Sequence, residues 1–257
     1  MNNHIIPFSE ILPAFCAVRN KGTFFDNGDA TETTPRIVFL RHLLADLHLD
    51  YELDVWEMPN RYPVSPEKTT THLFNIYLHG TGNKMVMAHH DVANHKVDNC
   101  NDNSASVINA IAAKILNPEL NVAITDGEEF GGVGSQRVSD KIKEGHFGEI
   151  EYVVNLELTA VGGLNFFTEP YPDSNLYKKI MSIFPNTYTT RVPFHDGVIL
   201  RRNGIDSLVL NPLPLDAKGK LDFSILYNCH TTRDTINLAN YDDMDIFVKQ
   251  VITPLIK

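Results

Sequence analysis

Apolar segments of strand length alternate along this chain with segments of helical period, and the alternation predicts an α/β sandwich with a largely parallel sheet. Two further observations point the same way. At 257 residues, 43% of them hydrophobic and 21% charged, with 15 Gly and 14 Pro, the chain has the length and composition of one large globular α/β domain. Three of its strand-like segments also end in His, Asp or Glu, and in a parallel sheet the carboxyl ends of the strands form the edge where ligand sites gather.

Taken in order, residues 21–34 read as a turn-rich loop that closes on Thr34 and Pro35, a capping residue followed by proline at the first helical position. Ile37, Val38, Leu40, Leu44 and Leu47 then recur at helical spacing, which predicts a helix over 35–47. Strands are predicted over 51–56, 73–78 and 84–88, the last two separated by the turn residues Gly80, Thr81, Gly82 and Asn83. A helix over 104–116, a strand over 121–125, a helix over 134–143 and a strand over 152–158 follow. Beyond them come a strand at 164–168, helices near 174–183 and 197–202, a strand at 207–210 and a helix after Asn240. No repeat, low-complexity stretch or Gly/Ser linker interrupts this order, so residues 1–257 are expected to form a single domain.

The formal net charge of -10, with no stripe of Lys and Arg, argues against nucleic-acid binding and suits cations instead. The first residues lack a basic segment leading into an apolar run, and no apolar run reaches the length of a membrane span. Cys16, Cys100 and Cys229 are too few for a disulfide framework. The expectation is a cytoplasmic protein engaging neither nucleic acid nor membrane.

Five short segments carry the chemistry: residues 87–91 (Met-Ala-His-His-Asp), 101–106 (Asn-Asp-Asn-Ser-Ala-Ser), 126–135 (Asp-Gly-Glu-Glu-Phe-Gly-Gly-Val-Gly-Ser), 155–157 (Asn-Leu-Glu) and 229–235 (Cys-His-Thr-Thr-Arg-Asp-Thr). Zinc accepts His nitrogen and carboxylate oxygen, and two zincs sharing a bridging carboxylate need about five such residues. A paired site also needs a carboxylate that binds no metal and can take a proton from water. Glu128 and Glu129 offer both, because neighbouring side chains at a strand end point different ways.

Together these segments resemble the di-zinc aminopeptidase and glutamate carboxypeptidase family, metallopeptidase family twenty-eight, from about Pro35 to the end of the chain. The family's His-x-Asp motif is similar to residues 89–91, its Asp-Asn-x-Ser-Gly motif to 102–106, its Glu-Glu-x-Gly-x-x-Gly-Ser motif to 128–135, its Asn-x-Asp position to 155–157, and its His-Thr-x-x-Asp-Thr motif to 230–235. The resemblance implies a three-layer α/β/α sandwich with a mixed, largely parallel central sheet. It also implies two zinc ions per chain held by His89, Asp102, Glu129, Glu157 and His230: Glu129 and His230 on one ion, His89 and Glu157 on the other, and Asp102 on both. Glu128 would be the general base and Asp91 the carboxylate that orients His89. A cis peptide between Asp102 and Asn103 is implied as well.

The match departs at Glu157, where family aminopeptidases mostly carry Asp, and at Cys229, where a Tyr that can donate to the developing oxyanion is common. Tyr227 could stand in for that Tyr. The usual Ser-Gly after the bridging motif is Ala105 and Ser106. Cys100 and Cys229, each within two residues of an implied ligand, are expected near the metal site. His90, His95 and His146 are expected at the surface or behind the ligands, and Asp126 to close a turn. His195 and Asp196 are candidates for the pocket lining, and Arg191, Arg201 and Arg202 for a solvated helix face or for receiving a substrate carboxylate.

Only a short stretch separates Glu157 from His230, which leaves no room for the lid or dimerisation domain of related carboxypeptidases, so an open pocket is expected. The function expected is hydrolysis of a peptide bond near a chain terminus, on a peptide or acyl-amino-acid substrate. The alternatives are an amidohydrolase, deacylase or carboxypeptidase acting on N-acylated amino acids or small peptides. Glutaminyl cyclisation on the same fold, which normally uses one zinc, and a binding protein on a peptidase scaffold remain beside them.

Overall fold

The computed structural model describes residues 4–18, 34–59, 70–94, 96–192 and 194–257. The expected loop at 21–33 and His95 lie outside the described residues.

One mixed eight-stranded sheet organises the chain. Its strands are β1 (Glu52–Pro59), β2 (Thr70–Leu78), β3 (Lys84–His89), β4 (Asn121–Thr125), β5 (Tyr152–Leu156), β6 (Phe166–Thr168), β7 (Tyr188–Thr189) and β8 (Ser207–Pro212), in the order β1-β2-β4-β3-β5-β8-β6-β7. The central four, β4, β3, β5 and β8, run parallel; β1 with β2, β2 with β4, and β6 with β8 pair antiparallel.

The central strands are buried on both faces, as parallel strands covered by helices must be. In β3, Val86 and Ala88 turn to one apolar cluster and Met85 and Met87 to the other. The first cluster is covered by α1 (Phe8–Cys16), α2 (Pro35–Asp46), α3 (Ala105–Leu116), α5 (Asn175–Ile183) and the C-terminal helical segment, α7 (Tyr241–Ile246) and α8 (Thr253–Ile256) with a widened turn over Phe247–Ile252 between them. Residues from α4 (Val133–Lys143) and α6 (Asp196–Arg202) fill the second. Helices on both faces of the sheet give the three expected layers. Every residue of α3 from Ala105 to Lys114 is buried, as in a helix held between the sheet and an outer layer, and its polar members Ser106, Asn109 and Lys114 are hydrogen-bonded there. The widened turn ahead of α8 precedes Pro254, whose ring cannot donate to, and crowds, the carbonyl four residues back.

Most predicted elements occur within a residue or two. The helix at 35–46 starts as expected, with the Thr34 side chain accepting from the Ile37 amide. The strand expected over 152–158 stops at Leu156, because Glu157 leaves the ladder and Leu158 takes a positive φ of 58°. α1 was not anticipated: Phe8, Ile11, Leu12, Phe15 and Cys16 lie on one buried face, but Pro13 inside the helix masks the period. Among the described residues no helix is long and apolar enough to cross a membrane.

Candidate metal centre

The topology brings three strand ends to one edge. β3 ends in His89, β4 leads through Asp126 and Gly127 into the turn of Glu128–Phe130, and β5 delivers Glu157 one residue past its end. Gly127 makes the tight exit possible, with a φ of 74° and the Val133 side chain where a Cβ would stand. The segment of Asp102 precedes α3, its peptide bond to Asn103 is cis, and His230 arrives from the loop ahead of α7 with a φ of 61°.

All five residues implied as metal ligands face one another there. Asp102 divides its two oxygens: Oδ1 lies 3.4 Å from His89 Nε2 and Oδ2 lies 3.1 Å from His230 Nε2. Glu157 Oε2 stands 3.5 Å from His89 Nε2, and Glu129 Oε2 stands 3.0 Å from His230 Nε2. His89 is 1% exposed, Asp102 8% and Glu157 7%, so the charges are held in a poorly solvated place. Glu129 Oε1 is buried with no hydrogen-bond partner.

Behind these groups, a ring of hydrogen bonds fixes the segments. Asp91 lies 3.3 Å from His89 Nδ1 through Oδ1, and its two oxygens accept the backbone N–H groups of Glu128 at 3.2 Å and Glu129 at 3.1 Å. One carboxylate thus orients a histidine and the double-glutamate turn together. Asn103 donates to Leu156 O and accepts from the Leu158 amide, tying the Asp102 segment to the end of β5. Asn155 donates to Glu157 Oε1 at 3.0 Å.

The electrostatics follow from burying four carboxylates beside two imidazoles. Burial opposes ionisation of Asp102, but hydrogen bonds from His230 and His89 overcome it and hold its carboxyl below the usual range. Burial and the Asp102 charge push Glu129 up to about 7, against the hydrogen bond from His230. Burial, with Glu157, Asp196 and Glu129 nearby, drives Glu128 well above the ordinary carboxyl range although His89 opposes it. Hydrogen bonds to Asp102 and Glu129 raise His230 to about 10. The cluster holds excess negative charge that protons neutralise when no other cation does.

His89, Asp102, Glu128, Glu129, Glu157 and His230 line one cleft of about 640 Å³, a size typical of small-ligand sites. Leu158, Val192, Phe194 and Val209 give it apolar walls, and Cys229 also lines it. Tyr227 is 74% exposed and is not among the residues lining this cleft.

Of the two places expected for His90, the structure shows the one behind the ligands: it is fully buried, its Nε2 donates to Phe74 O at 2.8 Å, and burial lowers it to about 4. Other secondary expectations are corrected. Asp126 does more than close a turn, because its side chain accepts the Phe74 amide and so joins β2 to the exit of β4. Cys100 turns away from the cleft toward Cys16 of α1, in hydrogen-bonding contact. His195 lines the cleft, but Asp196 lies behind it, accepting from Thr125 Oγ1 at 2.6 Å. Arg201 is neither solvated nor free for a substrate. It is paired with Glu169 at 2.7 Å, donates to Ser207 O and stacks over Tyr171. Glu169 was not singled out from the sequence; it accepts from His195 Nε2 at 2.9 Å, leaving Nδ1 to accept from the Gly197 amide and Asn155.

A sequence profile described as peptidase family M28 matches residues 78–253, which span all of these groups. The chain belongs to peptidase family M28. Membership of that family supports metal-dependent peptide hydrolysis. A search of curated proteins finds no match. Among solved structures, the M28 chain is similar to the LapA aminopeptidase of Legionella pneumophila, at 13% identity and a TM-score of 0.64, over 99% of this chain and 70% of that one. It is also similar to the glutaminyl cyclase of Fimbriiglobus ruber, at 15% identity and a TM-score of 0.69, over 98% and 95% of the two chains. The zinc aminopeptidase BSAP of Bacillus subtilis shares 16% identity at a TM-score of 0.55, over 73% of this chain and 50% of that one. At these identities the likenesses establish the shared fold.

Proposed function

We propose that this M28 chain is an exopeptidase that removes residues from the free amino end of peptides, with two zinc ions held by His89, Asp102, Glu129, Glu157 and His230. The observation that carries the reading is the division of Asp102: each oxygen faces a different histidine, and each histidine faces a second carboxylate. Separations of 3.0 to 3.5 Å are long for hydrogen bonds at their upper end, yet they match the edge of a tetrahedral zinc shell, about 3.3 Å for bonds of about 2.0–2.1 Å. The buried, unpartnered Glu129 Oε1 and the excess of carboxylates also fit a cationic occupant.

When bound, the ions would polarise the scissile carbonyl and make a neighbouring water more acidic. Glu128, on the cleft wall beside Glu129, would take the proton from the attacking water and return it to the leaving amine. Asp91 holds both glutamate amides, so the base and the ligand keep their relative positions. Among the described residues lining the cleft neither Lys nor Arg is present to receive a substrate carboxylate, which favours a substrate with a free amine. The apolar walls suit an uncharged side chain on the terminal residue. The same reading takes the chain between Glu157 and His230 as part of one catalytic unit over residues 1–257, without an inserted lid or dimerisation domain. In support, β6, α5, β7, α6 and β8 all extend or cover the single sheet.

A second reading, glutaminyl cyclisation, is favoured by one observation: the likeness to the Fimbriiglobus ruber cyclase runs the length of both chains, whereas aminopeptidase BSAP is matched over only half of its own. Zinc-quantified protein should be incubated with free-amine peptides, N-blocked peptides, acyl-amino acids and peptides beginning with glutamine, and the products weighed. Release of the first residue from free-amine peptides is expected. Cleavage of acyl-amino acids alone would replace the proposal with a deacylase, and loss of ammonia from glutamine peptides with no cleavage would replace it with a cyclase.

A further inference from the structure

The edge of the sheet opposite the cleft carries a second gathering of metal-type donors. Glu52 opens β1, His79 follows β2, and His146 lies in the turn after α4. Leu78 pairs with Val122 near the start of β4, so His79 stands roughly 15 Å, one strand length, from the metal centre's edge. His79 Nε2 and His146 Nε2 both lie 2.8 Å from the same oxygen, Glu52 Oε2. The three donor atoms are all within 4.8 Å of one another.

We propose that Glu52, His79 and His146 form an additional site for one transition-metal dication of the zinc, nickel or copper class, independent of the catalytic pair. Two imidazoles and a carboxylate are the donor set such ions accept, and three protein ligands leave a position for water. Ligand atoms around a tetrahedral ion with bonds of about 2.0–2.1 Å stand about 3.3 Å apart. Glu52 Oε2 therefore needs to withdraw about half an ångström from each nitrogen, a small rotation for a side chain about one-third exposed.

The histidines are set before an ion arrives. The His79 ring stacks on Phe147 at 5.4 Å and 26°, and the His146 ring meets Phe147 edge-on at 5.1 Å and 88°. The backbone of His79 is fixed by Lys114, whose ammonium donates to His79 O at 2.6 Å, and the His146 amide closes the helix by donating to Lys141 O. Packing thus holds both rings, whose Nε2 atoms face the same carboxylate oxygen. Lys141 Nζ contacts the other oxygen, Glu52 Oε1, at 3.3 Å, which leaves Oε2 for single-point ligation. An ion here would join β1, β2 and the end of α4.

The test is a difference in stoichiometry. The unmodified protein and the His79→Asn/His146→Gln double variant are equilibrated with zinc, freed of loosely bound ion by gel filtration, and analysed by elemental mass spectrometry. The unmodified protein should hold one more zinc per chain than the variant, whatever the cleft holds in both, so a failure of the two-zinc reading would not imitate a failure here. Copper(II) added to the zinc-loaded proteins should give an electron paramagnetic resonance spectrum with coupling to imidazole nitrogen in the unmodified protein only. Glu52→Gln provides a second variant that keeps both rings and should also lose the extra ion. Peptide turnover should be unchanged in all of them. Equal zinc content in the unmodified protein and both variants would overturn the site and leave the three residues as a hydrogen-bonded surface cluster.

Discussion

Asp234 holds Asp102 from behind: its carboxylate accepts the Asp102 amide at 3.0 Å and the Asn101 amide at 2.7 Å. The loop that delivers His230 therefore also fixes the backbone of the residue that His230 faces. Asp234 is 1% exposed, and an acceptor-only carboxylate is the side chain that can satisfy two converging N–H groups. In Asp234→Asn one of those amides would meet an NH2 group. A loss of about 10–100-fold in metal affinity is expected, as for other groups that orient ligands. Competition with a chromophoric chelator measures it, and unchanged affinity would mean that the Asp102 segment is fixed without Asp234.

Arg36 does a related job from α2. It is 1% exposed, donates to His90 O at 2.7 Å and Ser104 Oγ at 2.9 Å, and its guanidinium lies 3.8 Å from the Phe15 ring centroid. The residues it holds flank His89 and follow Asp102. Arg36→Met keeps the apolar stem but leaves a buried carbonyl and a hydroxyl short of a donor, at about 1–3 kcal/mol for each unsatisfied group. For a chain of this size the melting temperature should fall by about 2–4 °C per kcal/mol. Thermal unfolding of the metal-loaded variant checks it, and a fall of less than one degree would show that water replaces the guanidinium.

Much of this arrangement was legible in the sequence, for identifiable reasons. β4 was read to the residue because an apolar run is bracketed by the turn residues Asn117 and Pro118 on one side and Asp126 and Gly127 on the other. The convergence of residues 89, 129 and 157 followed from placing each segment at the end of a parallel strand. Long-range side-chain pairing was not legible. Nothing in the residues around His195 announces that Glu169, 26 positions earlier, receives its ring, or that Arg201 is spent on the same carboxylate. Cys100 was expected near the metal because it is close in sequence to Asp102, yet α1, hidden by Pro13, supplies Cys16 as its neighbour. The alternation of side-chain direction along a segment, more than its position, decides which groups share a site.

Metal-free protein should lose stability as the pH rises from 7 to 9. His230 is raised to about 10 and His89 well above its ordinary value, the latter by Glu157, Asp102 and Asp91 against the cost of burial. A histidine whose folded value lies above its unfolded one, about 6.5, contributes stability that is complete below 6.5 and disappears as the pH climbs through the folded value. The opposite contribution of His90, lowered to about 4, is complete by pH 6.5, so it does not enter this window. Zinc replaces those protons, so the loaded protein should show a flatter profile and release protons on binding. Melting temperatures of chelator-treated and zinc-loaded protein across this range test the sign; a stripped protein that gains stability toward pH 9 would contradict it.

The last prediction separates the two adjacent glutamates. Glu129 Oε2 faces His230 at 3.0 Å and its other oxygen is buried without a partner, whereas Glu128 lines the cleft beside it, and Asp91 holds the amides of both. If Glu128 is the general base, Glu128→Gln keeps the side chain's shape and the backbone hydrogen bond to Asp91, so zinc content should stay at the unmodified level. The loss should fall on kcat, by about 10²–10⁴-fold, the usual contribution of a proton-transferring side chain, with KM changing much less. Glu129→Gln should instead lower the zinc content, because a carboxamide is a poorer ligand than a carboxylate and brings an NH2 group toward His230. The pair of variants is to be compared with the unmodified protein for zinc stoichiometry, kcat and KM on whichever peptide the substrate panel identifies. Near-normal turnover by Glu128→Gln would remove it as the base. Loss of zinc from Glu128→Gln, with Glu129→Gln fully loaded, would exchange the two roles, since the turn that presents them at the end of β4 positions either side chain within the same cleft.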